Sequence, residues 1–407
     1  MSFTRFTAEL TPNQVKSLLL KMYFRDDIPK PLPSILLLGM PGCGKSELVR
    51  QLGQEIAEKI GKTYVEYSDD IADEVLRSPK NYFVLVDRRV IEHEPSDFSG
   101  IPRIREDYVE FKPLKWAKVL ARTSGILFLD ELTNIQRDDL KSVCYKLILD
   151  RAAGDVKFRD DVLIIAAGNL PEQSSIATAL PVPLVNRLMI INVKPPTVWE
   201  WYEYMEKYYG HNWCRKIFAY IKTYESDFIR LPQETETLEN YPTPRSWTRL
   251  ALILGDNYTD KYSSEELKML CTGLLGSEVG LKVAKFLEKH IPSIDELLQE
   301  PEKFTRLDLD VKYTFVILYG VYLNENFDKI FITDHSGKYL VKSEHEKLIN
   351  VIINDSEELL LVMIESSSSK RSERLKLAMT LHKALPKVRN IFEKLKRLKE
   401  ELEYLER

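Results

Sequence analysis

The most informative stretch of the sequence is a glycine-rich octapeptide, Gly39-Met40-Pro41-Gly42-Cys43-Gly44-Lys45-Ser46. It fills the pattern G-x-x-x-x-G-K-[ST] at every position, and the apolar run Ile35–Leu38 stands directly before it. An amphipathic segment, Ser46–Ile60, follows. A strand, a glycine-rich turn and a helix in this order are the context in which the pattern forms a phosphate-binding loop.

The residue types of this loop suit a nucleotide. Glycines let backbone N–H groups turn inward around phosphate oxygens, and the start of the following helix adds a partial positive charge. Lys45 would contact the β- and γ-phosphates, and the Ser46 hydroxyl would ligate Mg²⁺. We therefore predict ATP and Mg²⁺ as cofactors. The predicted nucleotide contacts are the loop residues and their neighbour, namely Gly39, Pro41, Gly42, Cys43, Gly44, Lys45, Ser46 and Glu47.

A second segment supplies the acids that ATP hydrolysis needs. The apolar run Gly125–Leu129 predicts a buried strand, and it ends in Asp130-Glu131. Asp130 would hold Mg²⁺ through its water shell, so the predicted metal ligands are Ser46 and Asp130. Glu131 points elsewhere and would polarise the attacking water. The alternative is that one of the two acids caps the next helix.

The first two hundred residues alternate apolar runs with amphipathic stretches. This pattern is typical of an α/β fold, a parallel sheet with helices on both faces. Gln136–Leu149 predicts a helix, and Gly154-Asp155 within Arg151–Phe158 predicts a hairpin. The predicted strands are the apolar runs Ser34–Leu38, Tyr82–Asp87, Ile126–Leu129, Val162–Ala167 and Leu188–Val193.

The pattern changes after Pro195-Pro196 and is helical as far as about Ser293. The following stretch is mixed, and Ser366–Ser369 predicts a flexible break. Beyond it, Pro386 is well placed to begin a last helix. That helix either packs on its own domain or forms an intermolecular coiled coil. Its near-heptad apolar positions are Leu385, Val388, Phe392, Leu395, Leu402 and Leu405.

Length and composition narrow the class of protein. A chain of 407 residues suggests two or three domains. The 58 basic and 62 acidic residues give a net charge of −4, which argues against a surface wholly devoted to nucleic acid but leaves room for a local basic groove. The four scattered cysteines form no C-x-x-C pair, so a disulfide framework or zinc module is not expected.

No stretch of the sequence indicates export or a membrane span. The first residues lead into no apolar signal-peptide core. The longest apolar stretch, Tyr313–Leu323, is about half a membrane span. We therefore expect a cytoplasmic protein without membrane insertion.

Several further motifs give the chain a family resemblance. In order and spacing they resemble the AAA+ ATPases, and within the dynein-related subfamily the MoxR-like group, over about residues 30–255. Beside the phosphate loop and Asp130-Glu131, the motifs are Glu94-Pro95-Ser96-Asp97-Phe98-Ser99-Gly100-Ile101-Pro102, Trp116, Leu149-Asp150-Arg151, Ala166-Ala167-Gly168-Asn169 and Leu184-Val185-Asn186-Arg187.

The resemblance implies a domain organisation. It predicts an AAA+ nucleotide-binding domain over residues 1–195, with an insertion into its second helix at 88–119. A helical lid would follow at 196–300 and a mainly helical C-terminal extension at 301–407, ending in a helix over 386–407. In similar proteins such insertions face the ring pore or the substrate, and the alternative is a solvated loop without a dedicated role.

The resemblance also implies catalytic roles for residues outside the two motifs. Asn169 matches the first sensor, which helps to place the water, and Arg187 matches the arginine finger that enters a neighbouring subunit's site. On sequence alone, Arg187 is equally well explained as a surface residue before a strand. Arg245 follows Thr243-Pro244, which would cap and begin a helix. A cation in the first turn of a helix opposes the helix dipole. The resemblance implies that Arg245 is the second sensor.

These roles predict an ATPase whose catalytic residues are Lys45, Glu131, Asn169, Arg187 and Arg245. A finger supplied by a neighbour implies a homo-oligomeric ring, expected to be a hexamer, and the expected work is remodelling or activation of a protein partner. In this family the partner often carries a von Willebrand factor A domain. The alternatives are a nucleic-acid motor or initiator related to minichromosome maintenance helicases, and a module that binds ATP without hydrolysing it.

Overall fold

The protein is described by a computed structural model that covers residues 9–170, 177–178, 180–231, 238–256, 258–333 and 339–405. The chain divides into two compact units. The first is formed mainly by residues 1–197, and the second by residues 198–231 and 238–407.

The first unit is built on a seven-stranded parallel sheet in the order β1-β11-β2-β10-β7-β4-β3. The five predicted strands are confirmed, and each observed end lies within two residues of the predicted one. The strands of this unit are β1 (Glu9–Leu10), β2 (Ser34–Leu38), β3 (Thr63–Glu66), β4 (Tyr82–Arg89), β5 (Ile101–Ile104), β6 (Val109–Lys112), β7 (Ser124–Asp130), β8 (Ala152–Ala153), β9 (Val156–Lys157), β10 (Leu163–Gly168) and β11 (Leu188–Val193).

Helices cover both faces of this sheet, as predicted. Alternate side chains of a strand point to opposite faces, so Leu127 and Leu129 join a core formed with α3, α5 and α6. The opposite face is covered by α2, which contacts four strands and packs against α1. The helices are α1 (Pro12–Tyr23), α2 (Lys45–Lys59), α3 (Asp69–Arg77), α4 (Ser96–Ser99), α5 (Lys115–Arg122), α6 (Asp138–Asp150) and α7 (Val182–Val185).

Two small antiparallel hairpins stand apart from the main sheet. One pairs β8 with β9 and confirms the hairpin predicted around Gly154-Asp155. The other pairs β5 with β6 and lies inside the predicted insertion at 88–119.

The second unit is helical except for one two-stranded hairpin within its described part. Its helices are α8 (Val198–Tyr209), α9 (Arg215–Thr223), α10 (Pro244–Leu254), α11 (Ser264–Leu275), α12 (Ser277–Leu287), α13 (Ile294–Gln299), α14 (Leu309–Glu325), α15 (Phe327–Ile330), α16 (Ser343–Asp355), α17 (Glu357–Glu365), α18 (Arg371–Ala384) and α19 (Pro386–Leu405). The hairpin pairs β12 (Phe331–Thr333) with β13 (Tyr339–Val341).

The centre of the second unit is the apolar helix α14. Phe315, Tyr319 and Leu323 on this helix are buried in one core cluster, whereas Val311 and Ile317 join another. The longest apolar stretch of the sequence is therefore a core helix. Among the described residues, no helix has both the length and the apolar character needed to cross a membrane.

The prediction of a flexible break at Ser366–Ser369 is wrong. Ser366, Ser367 and Ser368 are buried, and their hydroxyls are hydrogen-bonded; Ser367 Oγ, for example, donates to the Ile364 carbonyl at 2.7 Å. Arg374 also donates to the Ser368 carbonyl at 2.8 Å. Four consecutive serines have the composition of a flexible linker. Here, however, serine hydroxyls form hydrogen bonds with backbone carbonyls in a turn between two helices.

The last helix begins at Pro386, as predicted. Leu385, Val388 and Ile391 are buried in the core of their own unit, which agrees with the interpretation that the start of this helix packs on its own domain. The side chains of Leu395, Leu402 and Leu405 lie outside the described residues.

A buried histidine in the second unit predicts a pH-dependent stability. His345 on α16 is buried, its Nδ1 lies 2.9 Å from the Tyr319 hydroxyl, and the two rings stack. Burial lowers the pKa of His345 below its usual value of about 6.5. The unfolded chain therefore takes up this proton more readily, so the stabilisation is complete above about pH 6.5 and is lost as the pH falls through the folded pKa.

We expect the free energy of unfolding to fall between pH 7.5 and 5.5, and His345→Gln to reduce that fall. Urea unfolding followed by circular dichroism at both pH values measures it. His290→Gln is the matched control, because the side chain of His290 is 82% exposed. An unchanged pH dependence in His345→Gln would contradict the assignment.

Candidate active site

The sheet brings the two sequence motifs together at one edge. Strand β10 lies between β2, which leads into the glycine-rich loop, and β7, which ends in Asp130. All three strands are parallel, so their carboxyl ends meet at the same edge. The first N–H of the loop, on Gly39, donates to the carbonyl of Gly168 at the end of β10 at 3.3 Å.

The glycines of the loop are required by its backbone. Gly42 and Gly44 have φ of 77° and 97°, in the region that favours glycine. A Cβ atom at Gly39 would lie 2.4 Å from the carbonyl oxygen of Val193. The loop therefore forms a close-packed turn at the start of α2, which is the shape that a phosphate cradle needs.

Lys45 occupies the centre of this turn and is buried. Its Nζ donates to the carbonyls of Gly39 at 2.6 Å and Met40 at 3.0 Å, and to Asn169 Oδ1 at 3.2 Å. A buried ammonium needs such partners, because its desolvation is otherwise costly. The same position presents a cation to any phosphate in the loop.

Ser46 and Asp130 form a pair of oxygen ligands. The Ser46 hydroxyl donates to Asp130 Oδ2 at 3.0 Å, although the two residues lie 84 positions apart. Within the described part of the chain, no group of three or more histidine, cysteine or acidic side chains could hold a metal. Two protein oxygens nevertheless suit Mg²⁺, which usually keeps several waters and binds through substrate phosphates.

The Glu131 carboxylate faces Arg89, whereas the Asp130 carboxylate accepts from the Ser46 hydroxyl. Its backbone is in the left-handed region, with φ of 63°, and its Oε1 lies 3.5 Å from the Nε of Arg89 on β4. Its side chain does not cap the short helical turn Leu132–Asn134. The capping alternative is therefore wrong for Glu131, whose carboxylate instead lies at the end of the sheet.

Asn169 is held in place by Thr133, a residue that the sequence analysis did not single out. The Thr133 hydroxyl accepts from the Asn169 N–H at 2.9 Å and donates to the Asn169 carbonyl at 3.1 Å. The side-chain amide of Asn169 meanwhile accepts from Lys45. Thr133 thus links the acidic loop to the residue that contacts the phosphate-loop lysine.

Two further residues near the acids, Asp87 and Arg89, were not predicted as site residues, although Asp87 ends a predicted strand and Arg89 ends the observed one. Arg89 pairs with Glu131, and Asp87 lies on the same face of β4 two residues earlier. The pKa of Asp87 is raised by desolvation and by the negative charge of Asp130, although Asp87 remains exposed. The available signal was their position at the carboxyl end of a parallel strand.

The remaining loop residues are placed as follows. Pro41 is half-buried in the turn. Cys43 is fully buried, so its thiol faces the protein interior. Glu47 lies in the first turn of α2, and its carboxylate accepts from Arg50 at 3.1 Å and from Gln51 at 3.2 Å. The Glu47 side chain is therefore directed along its own helix.

The two predicted arginines belong to different units. Arg187 is exposed just before β11 and, among the described residues, forms no ion pair. Arg245 belongs to the second unit and is exposed in the first turn of α10. The predicted cap is confirmed there, since Thr243 accepts from the Ser246 N–H at 3.2 Å and Pro244 is the first helical residue.

The hairpin of the insertion has an exposed apolar face. The register pairs Pro102 with Phe111 and Ile104 with Val109, which places these four side chains on one face. Ile104 is 84% exposed and Val109 56%. The opposite face carries mostly charged residues, with Arg103 across from Glu110. Two-stranded hairpins of this kind normally bury their apolar face, whereas here it is exposed.

The parallel sheet, the phosphate-type loop and the adjacent acids define the fold and site of an AAA+ ATPase. Comparison with known proteins agrees, because residues 34–187 match the family described as AAA domain (dynein-related subfamily). This part of the chain is thus an AAA domain, whose family binds nucleotide and hydrolyses ATP. No curated protein matches the chain in sequence.

Two of the solved structures that this chain resembles are the following. Cdc6p from Pyrobaculum aerophilum is 13% identical, with 93% of this chain and 88% of that chain covered and a TM-score of 0.37. The Aeropyrum pernix ORC1 protein in complex with DNA is also 13% identical, with 87% and 82% covered and a TM-score of 0.34.

The contacts of Thr133 predict a positioning role in hydrolysis. Thr133→Val keeps the shape but removes the hydroxyl that pairs with Asn169, so we expect kcat to fall by at least about tenfold, given that small misplacements cost up to ~10²-fold. The affinity for ATP should stay within about twofold, because the glycine-rich loop is untouched.

Steady-state hydrolysis and equilibrium binding of a fluorescent ATP analogue measure the two quantities. Thr133→Ser retains the hydroxyl and should keep most of the activity. Equal rates for the valine and serine variants would show that the hydroxyl has no such role.

Proposed function

We propose that the chain hydrolyses ATP at the edge of the sheet, with the residue roles that the sequence predicts. The backbone of the glycine-rich loop and the Lys45 ammonium would hold the phosphates. Ser46 and Asp130 would hold Mg²⁺, which when bound neutralises charge on the phosphate oxygens. The observation that carries this proposal is the convergence of Lys45, Asn169, Ser46 and Asp130 through hydrogen bonds of 3.0–3.2 Å.

Glu131 and Asn169 would place the attacking water. Glu131 lies one residue beyond Asp130, and its Oε1 lies 3.5 Å from the Nε of Arg89. This long and exposed ion pair is weak, so the carboxylate can turn to accept a proton from water. Asn169, fixed by Thr133, would orient the same water from the lysine side of the loop.

Arg187 and Arg245 complete the proposed machinery. Both are exposed, so their guanidinium groups are accessible to a phosphate or another subunit. We propose Arg187 as an arginine finger offered to a neighbouring subunit, which requires a ring, and a hexamer is the form we favour. We propose Arg245 as the second sensor, carried by a helical lid over residues 196–300 that precedes a C-terminal extension at 301–407.

The proposed work of this ATPase is MoxR-type remodelling or activation of a protein partner, such as one with a von Willebrand factor A domain. The apolar face of the β5–β6 hairpin supports this proposal. An apolar surface of Pro102, Ile104, Val109 and Phe111 suits partly unfolded or apolar protein segments, because burial of such side chains contributes about 25 cal/mol per Å².

The first test of this proposal combines slow hydrolysis with partner capture. Glu131→Gln should bind ATP yet hydrolyse it at least about tenfold more slowly, because proton transfer and water positioning contribute on the order of 10²–10⁴. The ATP-loaded variant should then retain a protein partner during affinity purification. Mass spectrometry of the retained proteins, with and without ATP, measures this.

The matched control adds Ile104→Ser and Phe111→Ser to the same variant. We expect these changes to abolish capture and leave ATP binding intact, since the hairpin is separate from the main sheet. Near-normal turnover by Glu131→Gln would refute its role. Capture that survives the hairpin changes would refute the assigned surface.

The second test concerns the shared site. Arg187→Ala and Lys45→Ala should each be inactive alone. Mixed, they should regain part of the activity, because some junctions combine an intact loop with an intact finger. Hydrolysis across a series of mixing ratios measures this. Arg122→Ala is a matched control, because Arg122 is also exposed, and should stay active alone. Mixtures that remain inactive at every ratio would contradict a finger in trans.

A further inference from the structure

The charges of this chain are strongly segregated. Residues 370–399 contain eleven of the 58 basic residues but only two of the 62 acidic ones, Glu373 and Glu393. This segment therefore has a net charge of +9, whereas the rest of the chain has −13. The overall value of −4 conceals this difference.

The basic segment forms helix α18 and helix α19 up to Lys399, before the acidic residues Glu400, Glu401 and Glu403 in the last part of that helix. Both helices pack apolar side chains into the protein core. Leu377 and Leu381 on α18, and Val388 and Ile391 on α19, are buried in one cluster. The cations are left on the outer side of both helices. The exposed ones among the described side chains are Lys370, Arg371, Lys376, Lys383, Lys387, Arg389, Lys394 and Lys396.

Part of this positive charge is neutralised within the unit. Lys370 pairs with Glu373 at 3.0 Å, and Lys394 pairs with Glu357 at 2.9 Å. Among the described residues, Arg371, Lys383 and Arg389 have no carboxylate within ion-pair distance. A surface with this excess of positive charge attracts polyanions.

The geometry favours a rigid duplex over a flexible strand. From Arg371 to Lys383 the cations extend over twelve residues of helix, or about 18 Å, which matches about five base pairs of duplex. Proteins that bind single strands combine a positively charged groove with aromatic side chains on which successive bases stack. The aromatic side chains described on these helices, His382 and Phe392, are half-buried and contact each other.

The same surface is poorly suited to a membrane. Helices that lie in a bilayer interface need a broad free apolar face, whereas α18 and the start of α19 pack apolar side chains into the core of their own unit. On the outer side of α18, the exposed large apolar side chains are Leu375 and Met379. Two such residues among many cations indicate an electrostatic contact.

We propose that α18 and α19 form a binding surface for duplex DNA, which contacts the phosphate backbone without reading the bases. The net charge of −4 left room for a local basic groove, and we assign that basic surface to the C-terminal helices. This surface is additional to the proposed ATPase function and does not depend on it.

The test uses the full chain and a fluorescein-labelled 30-base-pair duplex of mixed sequence. We expect binding at low salt, with log K falling linearly against log salt by about 0.9 per phosphate contacted. The triple variant Arg371→Gln, Lys383→Gln, Arg389→Gln should flatten that slope by about three and weaken binding by at least about tenfold.

The matched control is the triple variant Lys268→Gln, Arg306→Gln, Lys347→Gln, which removes three exposed cations of the same unit. It should bind duplex within about twofold of the native chain. Both variants should retain helicity by circular dichroism and hydrolyse ATP at the native rate, which shows that the fold is intact.

Three outcomes would overturn the proposal. The native chain could fail to bind duplex DNA at 50 mM salt, or both triple variants could lose binding equally. Alternatively, the native chain could bind a single strand of the same length, or anionic phosphatidylserine vesicles, more tightly than the duplex. In that case the first triple variant would lose affinity mainly for that other ligand.

Discussion

The active-site region depends on one constraint, which is that three neighbouring parallel strands end at the same edge of the sheet. Strand β10 lies between β2 and β7, so Asn169 is placed between the phosphate loop and the acidic strand. Two hydrogen bonds result from this strand order. Lys45 donates to Asn169, which is 124 positions away in the sequence, and Ser46 donates to Asp130, which is 84 positions away. A different strand order would separate Lys45 from Asn169 and Ser46 from Asp130.

This edge also holds a charged side chain whose burial would be unfavourable without polar partners. Lys45 is buried but is surrounded by two carbonyls and one amide oxygen, which offset the cost of removing an ammonium from water. The acidic side chains at this edge differ from Lys45 in their surroundings. Desolvation and the negative charge of Asp130 raise the pKa of Asp87. Asp130 accepts a hydrogen bond from Ser46, whereas Glu131 has a left-handed backbone and its Oε1 lies 3.5 Å from the Nε of Arg89. The two neighbouring carboxylates therefore have different partners.

Two surfaces outside this site share a physical origin. In the β5–β6 hairpin, an amphipathic element has no core partner and leaves its apolar face in solvent. In α18 and the start of α19 the apolar face is buried and the basic face remains exposed. Both features follow from amphipathic elements at the margin of a packed unit, where only one face can be buried. They give the chain one surface suited to apolar segments and another suited to polyanions.

The sequence by itself determined the elements that depend on local pattern. Strand positions, the glycine-rich loop, the acids after β7 and the cap at Thr243-Pro244 follow from periodicity and from residue types with fixed backbone preferences. Only the tertiary structure decided the pairing of Thr133 with Asn169, the contact of Arg89 with Glu131 and the burial of Ser366–Ser368, which composition had marked as flexible. The reason is physical: these features depend on which strands and helices lie side by side, and neither spacing nor composition carries that information.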